Sequence, residues 1–206
     1  MMKPNYSIFV FVGALLITSF FSQSCPAVTL LTEEKALEAM FPDVDKVVTE
    51  SYTLTETEIA QIRERLGGQL VHYQKGTKSE ALSEKTTYTF FIGIKNNQTT
   101  GVAVIEEQPG KWGPVTFIIA LDTASGKVTN LAVMAYKEKR GRPIARRNFL
   151  KQFVDKGSAD PVIIRKDIRA ISGATISSDC ACFAVKKVLA LYEETYQKRI
   201  KTAVQR

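Results

Sequence analysis

The feature that most constrains the fold is a change of hydrophobic period near residue 70. Before it, apolar residues recur at helical spacing. After it, several short segments are rich in β-branched and aromatic residues. Turn residues such as Asn96-Asn97 and Ser125-Gly126 separate most of these segments by only a few positions, which favours antiparallel pairing. We therefore predict an antiparallel sheet meander, with strands at residues 70–74, 87–95, 100–107, 115–122 and 128–136.

Helices are expected on both sides of this meander. Residues 32–35 have the pattern of a capping box that opens one short helix, and Thr55 begins a second helix that runs to about Leu66. Residues 144–154 have helical spacing, residues 161–164 suggest a short strand, and a last helix is expected over residues 177–201. The buried stripe of this last helix should contain Ala181, Ala184, Val185, Val188, Leu189 and Tyr192. Helices, then strands, then helices make an α+β fold, without the strand–helix alternation or glycine fingerprint of a classical dinucleotide site.

The amino terminus has the pattern of an export signal. Lys3 precedes an apolar run over residues 7–21, which is shorter than the ~20 residues that span a bilayer comfortably. Small and polar residues follow, up to Ala27. The segment is cleaved, kept as a membrane anchor, or lipidated at Cys25, and each outcome places the rest of the chain outside the cytoplasm.

The net charge of +7 favours anionic partners. No nucleic-acid-binding motif accompanies it, so we expect no nucleic acid as a partner. Much of the charge lies in a basic run over residues 137–147, which is either a solvated face or a docking patch for an acidic protein or membrane headgroups. Its cations are Lys137, Lys139, Arg140, Arg142, Arg146 and Arg147.

Other reactive residue types give weak signals. Cys180 and Cys182 have C-x-C spacing, and on a helix their side chains diverge, which favours packing over a disulfide and leaves a redox role open. His72 is the only histidine, so neither a metal site nor a Ser-His-Asp arrangement is indicated. Asp122 and Asp179 are expected to serve as a turn residue and a cap.

The segment from Ser172 to Ser178 is the strongest candidate for a binding site. Gly173 permits a tight turn, and Thr175, Ser177 and Ser178 then bring three hydroxyl groups to the start of the last helix. A helix N-terminus offers N–H groups and a positive dipole end to a phosphate. The alternative is that these hydroxyls only cap the helix.

Ser172-Gly173-Ala174-Thr175, followed by Ile176-Ser177, resembles the flavinylation motif of the FMN-binding domain family. That family includes the C-type subunit of sodium-translocating NADH:quinone reductase and the G-type subunit of the Rnf electron-transport complex. The resemblance implies that a flavin transferase joins the phosphate of FMN to Thr175, with the neighbouring motif residues binding the cofactor. Together with the export signal, the resemblance divides the chain into a signal or anchor (1–27), an N-terminal helical segment (28–86) and an FMN-binding domain (87–206).

A second likeness to the family lies upstream, where Glu138 and Gly141 precede a phenylalanine-containing helical segment and are expected near the flavin. Arg169 is a departure, since the family often has an acidic residue three places before the motif serine. Trp112 is either a stacking partner for the flavin or an ordinary core or rim residue.

The resemblance implies an exported flavoprotein that carries electrons in a membrane-associated redox chain and needs no catalytic residues of its own. Its expected partners are a flavin transferase, redox proteins of possible acidic character, and a membrane surface or membrane redox complex, at the outer face of the cytoplasmic membrane. Two alternatives stay open: a non-covalent FMN-binding protein or FMN-dependent reductase, and a cofactor-free exported interaction module.

Overall fold

A six-stranded antiparallel sheet organises the fold, with strand order β1-β6-β5-β4-β3-β2. In a computed structural model of the chain, residues 27–137 and 142–200 are described. The strands are β1 (Val28–Thr29), β2 (Lys46–Thr53), β3 (Thr87–Lys95), β4 (Gln98–Pro109), β5 (Pro114–Asp122) and β6 (Val128–Tyr136). Strands β2 to β6 form a meander and β1 adds to its β6 edge, which confirms the predicted α+β class.

Strands β3 and β6 have the predicted bounds, whereas the strand predicted over residues 70–74 is wrong. The side chain of Gln108 on β4 takes the place of a neighbouring strand there. Its Oε1 accepts from the backbone N–H of His72 at 3.1 Å, and its Nε2 donates to the carbonyl of Leu70 at 3.1 Å. Backbone groups satisfied by a side chain need no ladder.

Strand β2 was not predicted, and it lies between the two helices that were expected in the N-terminal segment 28–86. It pairs with β3 over its whole length, from Lys46 opposite Ile94 to Thr53 opposite Thr87. Its residues are exposed or half-buried, because β2 is an edge strand of the sheet. An edge strand with little burial lacks the hydrophobic pattern that reveals a strand in sequence.

Helices cover both faces of the sheet. Helix α1 (Glu33–Met40) is capped by Thr32, which accepts from the N–H of Lys35 at 3.4 Å. Helix α2 (Glu56–Arg65) has a complete capping box between Thr55 and Glu58. Both predicted helices are therefore present. The capping box predicted for residues 32–35 is wrong, because the lysine at position 35 has no acceptor for the N–H of Thr32.

The remaining helices lie after the sheet. The predicted helical segment 144–154 is broken into a 3-10 turn (Arg142–Ala145), helix α3 (Arg147–Leu150) and a second 3-10 turn (Lys151–Phe153). The short strand predicted over residues 161–164 is wrong, since only an isolated bridge joins Ile164 to Ile168. Helix α4 (Thr175–Leu191) begins two residues before the prediction and continues as a π-helix (Tyr192–Gln197).

Two apolar cores result. The larger one lies between the sheet and helices α2 and α4, and it contains all six residues of the predicted stripe. The smaller one packs α1 against the opposite face around Phe41, Phe91 and Met134. Cys180 and Cys182 are buried thiols within the larger core.

Several predictions fall outside the described residues: the export signal with Cys25, and the loop residues Glu138 and Gly141 together with part of the basic run. Within residues 27–137 and 142–200, no helix has both the length and the apolar character needed to span a bilayer.

Candidate site at the start of helix α4

The turn before α4 leaves Thr175 exposed as the first residue of the helix. Gly173 has a φ of +75°, a left-handed conformation that glycine adopts without steric cost, and no atom lies within 4 Å of where a β-carbon would stand. The N-cap is Ala174, and no side chain caps the helix. The hydroxyl groups of this segment therefore do not serve as the N-cap.

The buried side chain of Ser178 stabilises this turn through two hydrogen bonds. Its buried hydroxyl donates to the carbonyl of Ala174 at 2.9 Å and accepts from the N–H of Ile171 at 3.0 Å. Ser177 is also buried, whereas Ser172 is exposed. The motif thus separates into a buried anchor and an outward-facing rim of Ser172, Gly173 and Thr175.

The loop between α2 and β3 (residues 66–86, here the Gln74 loop) contacts the first turns of α4 on another side. The Nε2 atom of Gln74 donates to the carbonyl of Ile176 at 3.4 Å and to the carboxylate of Asp179. The Nε2 atom of His72 lies 3.0 Å from the same carboxylate, and its ring stacks on Phe183 at 4.9 Å. Asp179 therefore binds two side chains of this loop, and the prediction that it is a cap is wrong.

The His72 side chain is held by protein groups. Its Nδ1 atom lies 2.6 Å from Nε2 of Gln69. Across residues 27–137 and 142–200, no three histidine, cysteine or acidic side chains gather in a way that would hold a metal ion. Asp122 is a turn residue as predicted, since its Oδ1 accepts from the N–H of Ser125 at 2.7 Å.

The Gln74 loop also contacts the β4–β5 turn, where Trp112 lies. The N–H of Lys78 donates to the carbonyl of Lys111 at 2.6 Å. The ammonium groups of Lys78 and Lys111 lie 4.8 and 5.5 Å from the centre of the Trp112 ring, close enough for cation–π attraction. Lys137 packs against Gly113, so the end of β6 reaches this place too. Stacking of Trp112 on a flavin stays a prediction.

A concave groove of about 740 Å³ lies on a further side of the motif. We call it the basic groove, and it ends at Ile171, immediately before Ser172. Its cationic lining residues are Arg146, Lys151, Arg165, Lys166 and Arg169. Arg169, the departure from the family pattern, is thus a wall residue of this groove.

Three buried polar side chains, Lys187 on α4 and Glu106 and Gln108 on β4, form a hydrogen-bonded column within the core. The ammonium of Lys187 lies 2.8 Å from Oε1 of Glu106, and the exposed fractions of these side chains are 2% and 1%. The Nε2 of Gln108 donates to the same oxygen at 2.7 Å. Sequence reasoning missed this column. The signal was present, because Glu106 and Gln108 continue the inward-facing alternation of Val102 and Val104 along β4.

Cys180 and Cys182 are both free, buried thiols. The thiol of Cys180 donates to the carbonyl of Gln108 at 3.6 Å. Burial, reinforced by the charge of Asp179, raises the pKa of Cys182 to about 12, so its thiol is protonated at neutral pH. These two residues pack the core, as the helical spacing favoured.

The donor chemistry at the start of α4 fits a phosphate monoester. The first N–H groups of a helix have no partner within the helix, and the dipole adds positive character there. Beside them stand an exposed hydroxyl on Thr175 and a glycine turn open to solvent. The residues present therefore suit the phosphate end of FMN.

Comparisons with known proteins identify the fold and the cofactor-binding domain. No sequence among the curated proteins matches the chain. Among solved structures, the crystal structure of Shewanella oneidensis NqrC matches with a TM-score of 0.52 and 12% identity, over 77% of this chain and 85% of the other. At this identity the match shows a shared fold. The family model described as FMN-binding domain matches residues 110–190, a range that contains the β4–β5 turn, the basic groove and the start of α4. Residues 110–190 of this chain are therefore an FMN-binding domain, and FMN is its cofactor.

Proposed function

We propose that this chain is an exported electron carrier that holds FMN through a phosphoester bond to Thr175. The observation that carries the proposal is the exposed threonine at the first position of α4, after a left-handed glycine and without a side-chain cap. That arrangement presents one hydroxyl beside a set of backbone N–H donors. The resemblance of residues 172–177 to the flavinylation motif supports the same assignment.

The protein's own part in this function is to hold and orient the cofactor. The N–H groups of the first turn would donate to the phosphate oxygens of the bound cofactor. Ser178 keeps the turn in shape through its two hydrogen bonds. Gln74 and Asp179 fix the helix start against the neighbouring loop. FMN itself supplies the redox chemistry. Glu138 and Gly141 are proposed to complete the flavin surroundings.

Attachment needs an activated phosphate, which a flavin transferase would supply as a phosphoanhydride donor. A bond would form between Oγ1 of Thr175 and the phosphorus of the FMN half of the donor, and the phosphoanhydride P–O bond would break. The other phosphate-bearing half of the donor would leave with the bonding electron pair, and the hydroxyl proton would pass to solvent or to a base of the transferase. Relative to free FMN, the product has lost one water. Thr175 is then an attachment residue and takes no part in turnover.

Covalent attachment suits a protein that works outside the cell's flavin pool, because dissociation of the cofactor is removed. We propose that residues 1–27 export or anchor the chain, and that it works at the outer face of the cytoplasmic membrane. Its partners would be redox proteins of a membrane complex. Residues 87–206 would form the cofactor domain, with residues 28–86 adding β2 and the Gln74 loop.

The test is co-expression of the exported chain with a flavin transferase, followed by denaturing-gel fluorescence and intact mass. Wild type should give a fluorescent band with the added mass of one FMN minus one water, and Thr175→Val should give neither. Thr129→Val replaces an exposed threonine on β6 and should behave as wild type. A dark wild-type band with FMN released by denaturation would favour the non-covalent alternatives. No flavin in either fraction would refute the electron-carrier role.

A further inference from the structure

We propose that the basic groove is the docking site for a carboxylate-rich segment of the redox partner, a proposal that rests on the electron-carrier function. The charge of the groove is one-sided. Among the described residues, no carboxylate forms an ion pair with Arg146, Lys151, Arg165, Lys166 or Arg169. All five residues are exposed, so an external anion can reach them.

The one acidic residue among those lining the groove is already satisfied. Asp167 accepts from the N–H groups of Val162 and Ile163 at 3.1 and 2.8 Å, and its carboxylate lies 3.0 Å from the ammonium of Lys156. Its charge is directed to the backbone and to a cation outside the groove. Asp167 thus organises one wall and leaves the lining positive.

Hydrogen bonds within the protein form the groove in the absence of a partner. Gln152 links its two walls: its Oε1 accepts from the N–H of Arg169 at 2.9 Å, and its Nε2 donates to the carbonyl of Arg169 at 3.3 Å. The same Nε2 also donates to the carbonyl of Phe149 at 3.2 Å. A preformed site loses little conformational freedom on binding.

The shape favours a protein segment over a membrane. A bilayer presents its anionic headgroups as a broad surface, whereas these cations line a concave groove between two chain segments, with Arg146 and Lys151 on one segment and Arg165, Lys166 and Arg169 on the other. A narrow chain bearing glutamate or aspartate side chains can enter the groove and meet cations of both segments. A cleft lined by one sign of charge also concentrates the field within it.

The basic groove lies close to the proposed attachment residue of the cofactor, so a partner docked there would be near the flavin. Ile171 ends the groove and Thr175 is four residues further on. Four residues span at most ~14 Å when fully extended. A partner bound in the groove therefore lies beside the proposed attachment residue. Exposed ion pairs add little affinity each, but together they steer association and make it sensitive to salt.

The experiment measures binding of a fluorescein-labelled octaglutamate peptide by anisotropy at low salt. Lys151→Glu/Arg169→Glu reverses one charge on each wall, and we expect binding to weaken by roughly tenfold or more. Lys46→Glu/Lys95→Glu makes the same change in net charge on exposed residues of β2 and β3, and it should weaken binding by less than about twofold. Binding should also fall steeply as NaCl is raised.

Circular dichroism establishes that each variant is folded, and Arg146→Glu/Lys166→Glu replaces the first variant if it is not. Equal weakening by the groove and control variants would overturn the proposal, because net charge alone would then explain binding. So would failure to bind octaglutamate combined with groove-dependent binding to phosphatidylglycerol vesicles. Thr175→Val should bind the peptide as wild type does, so a failure of flavin attachment and a failure of docking are seen separately.

Discussion

The buried pair of Lys187 and Glu106 allows the sharpest test of the energetics of this fold. Replacing Lys187 by methionine keeps a similar length and apolar stem but removes the ammonium that lies 2.8 Å from the Glu106 carboxylate. The carboxylate then stays buried without a counter-charge. Its second oxygen, Oε2, already accepts no hydrogen bond from the described residues.

The expected loss is large compared with the stability of a small domain. Removing one partner of a buried ion pair costs roughly 3–5 kcal/mol, of the 5–15 kcal/mol that is typical for unfolding. Gln108 still donates to Glu106 at 2.7 Å, so we expect a loss of about 3 kcal/mol for Lys187→Met. For a chain of this size, each kcal/mol lowers Tm by roughly 2–4 °C, which gives a fall of about 6–12 °C.

The assay is a double-mutant cycle measured by urea unfolding. In Lys187→Met/Glu106→Gln neither charge remains, so the double variant should be about 2 kcal/mol more stable than Lys187→Met alone. Arg63→Ala removes an ion pair with Glu84 in which both side chains are about 40% exposed, and it should cost less than about 1 kcal/mol. The reasoning is refuted if Lys187→Met costs no more than Arg63→Ala, or if the two core substitutions are additive.

Three further outcomes are expected. Gly173→Ala should lower the free energy of unfolding by about 1–2 kcal/mol, because alanine adopts the left-handed φ at a steric cost. Gly157 has no positive φ, and a β-carbon there would lie 3.6 Å from Cγ of Lys127, so Gly157→Ala should change the free energy of unfolding by less than about half as much, measured for both variants by urea unfolding. For Asp167, burial tends to raise the pKa of the carboxyl group. The hydrogen bonds from the N–H groups of Ile163 and Val162 and the ammonium of Lys156 lower it by more, so the pKa is below its usual range. Its contribution to stability is therefore present above about pH 4 and is lost as the pH falls through the lowered pKa, so Asp167→Asn should flatten the loss of stability in acid, measured by urea unfolding between pH 2 and 5. In a Cys25→Ser variant, Cys180 and Cys182 should react with Ellman's reagent at pH 8 only after unfolding, because both thiols are buried and the pKa of Cys182 is raised to about 12. Rapid labelling of this native variant would contradict their burial.

The sequence by itself determined the features whose causes are local. Thr32 and Thr55 predict helix starts because a cap needs only a side-chain oxygen beside the first free N–H groups. Strands β3 and β6 were found with their bounds because alternating apolar residues and flanking turns are local signals. The Ser172–Thr175 motif indicated the FMN-binding family, and the match over residues 110–190 confirms that identification.

Only the tertiary structure decided the features that depend on partners distant in the chain. Strand β2 exists because β3 offers it a ladder, and residues 70–74 are not a strand because the side chain of Gln108 satisfies their backbone. The meeting of Gln74 with Asp179, more than a hundred positions apart, likewise depends on how the sheet and α4 pack. A local pattern encodes which backbone conformation each segment prefers. It does not encode which remote group will form a hydrogen bond or ion pair with a given N–H, carboxylate or ammonium. Such long-range contacts, formed only in the tertiary structure, position the residues around Thr175.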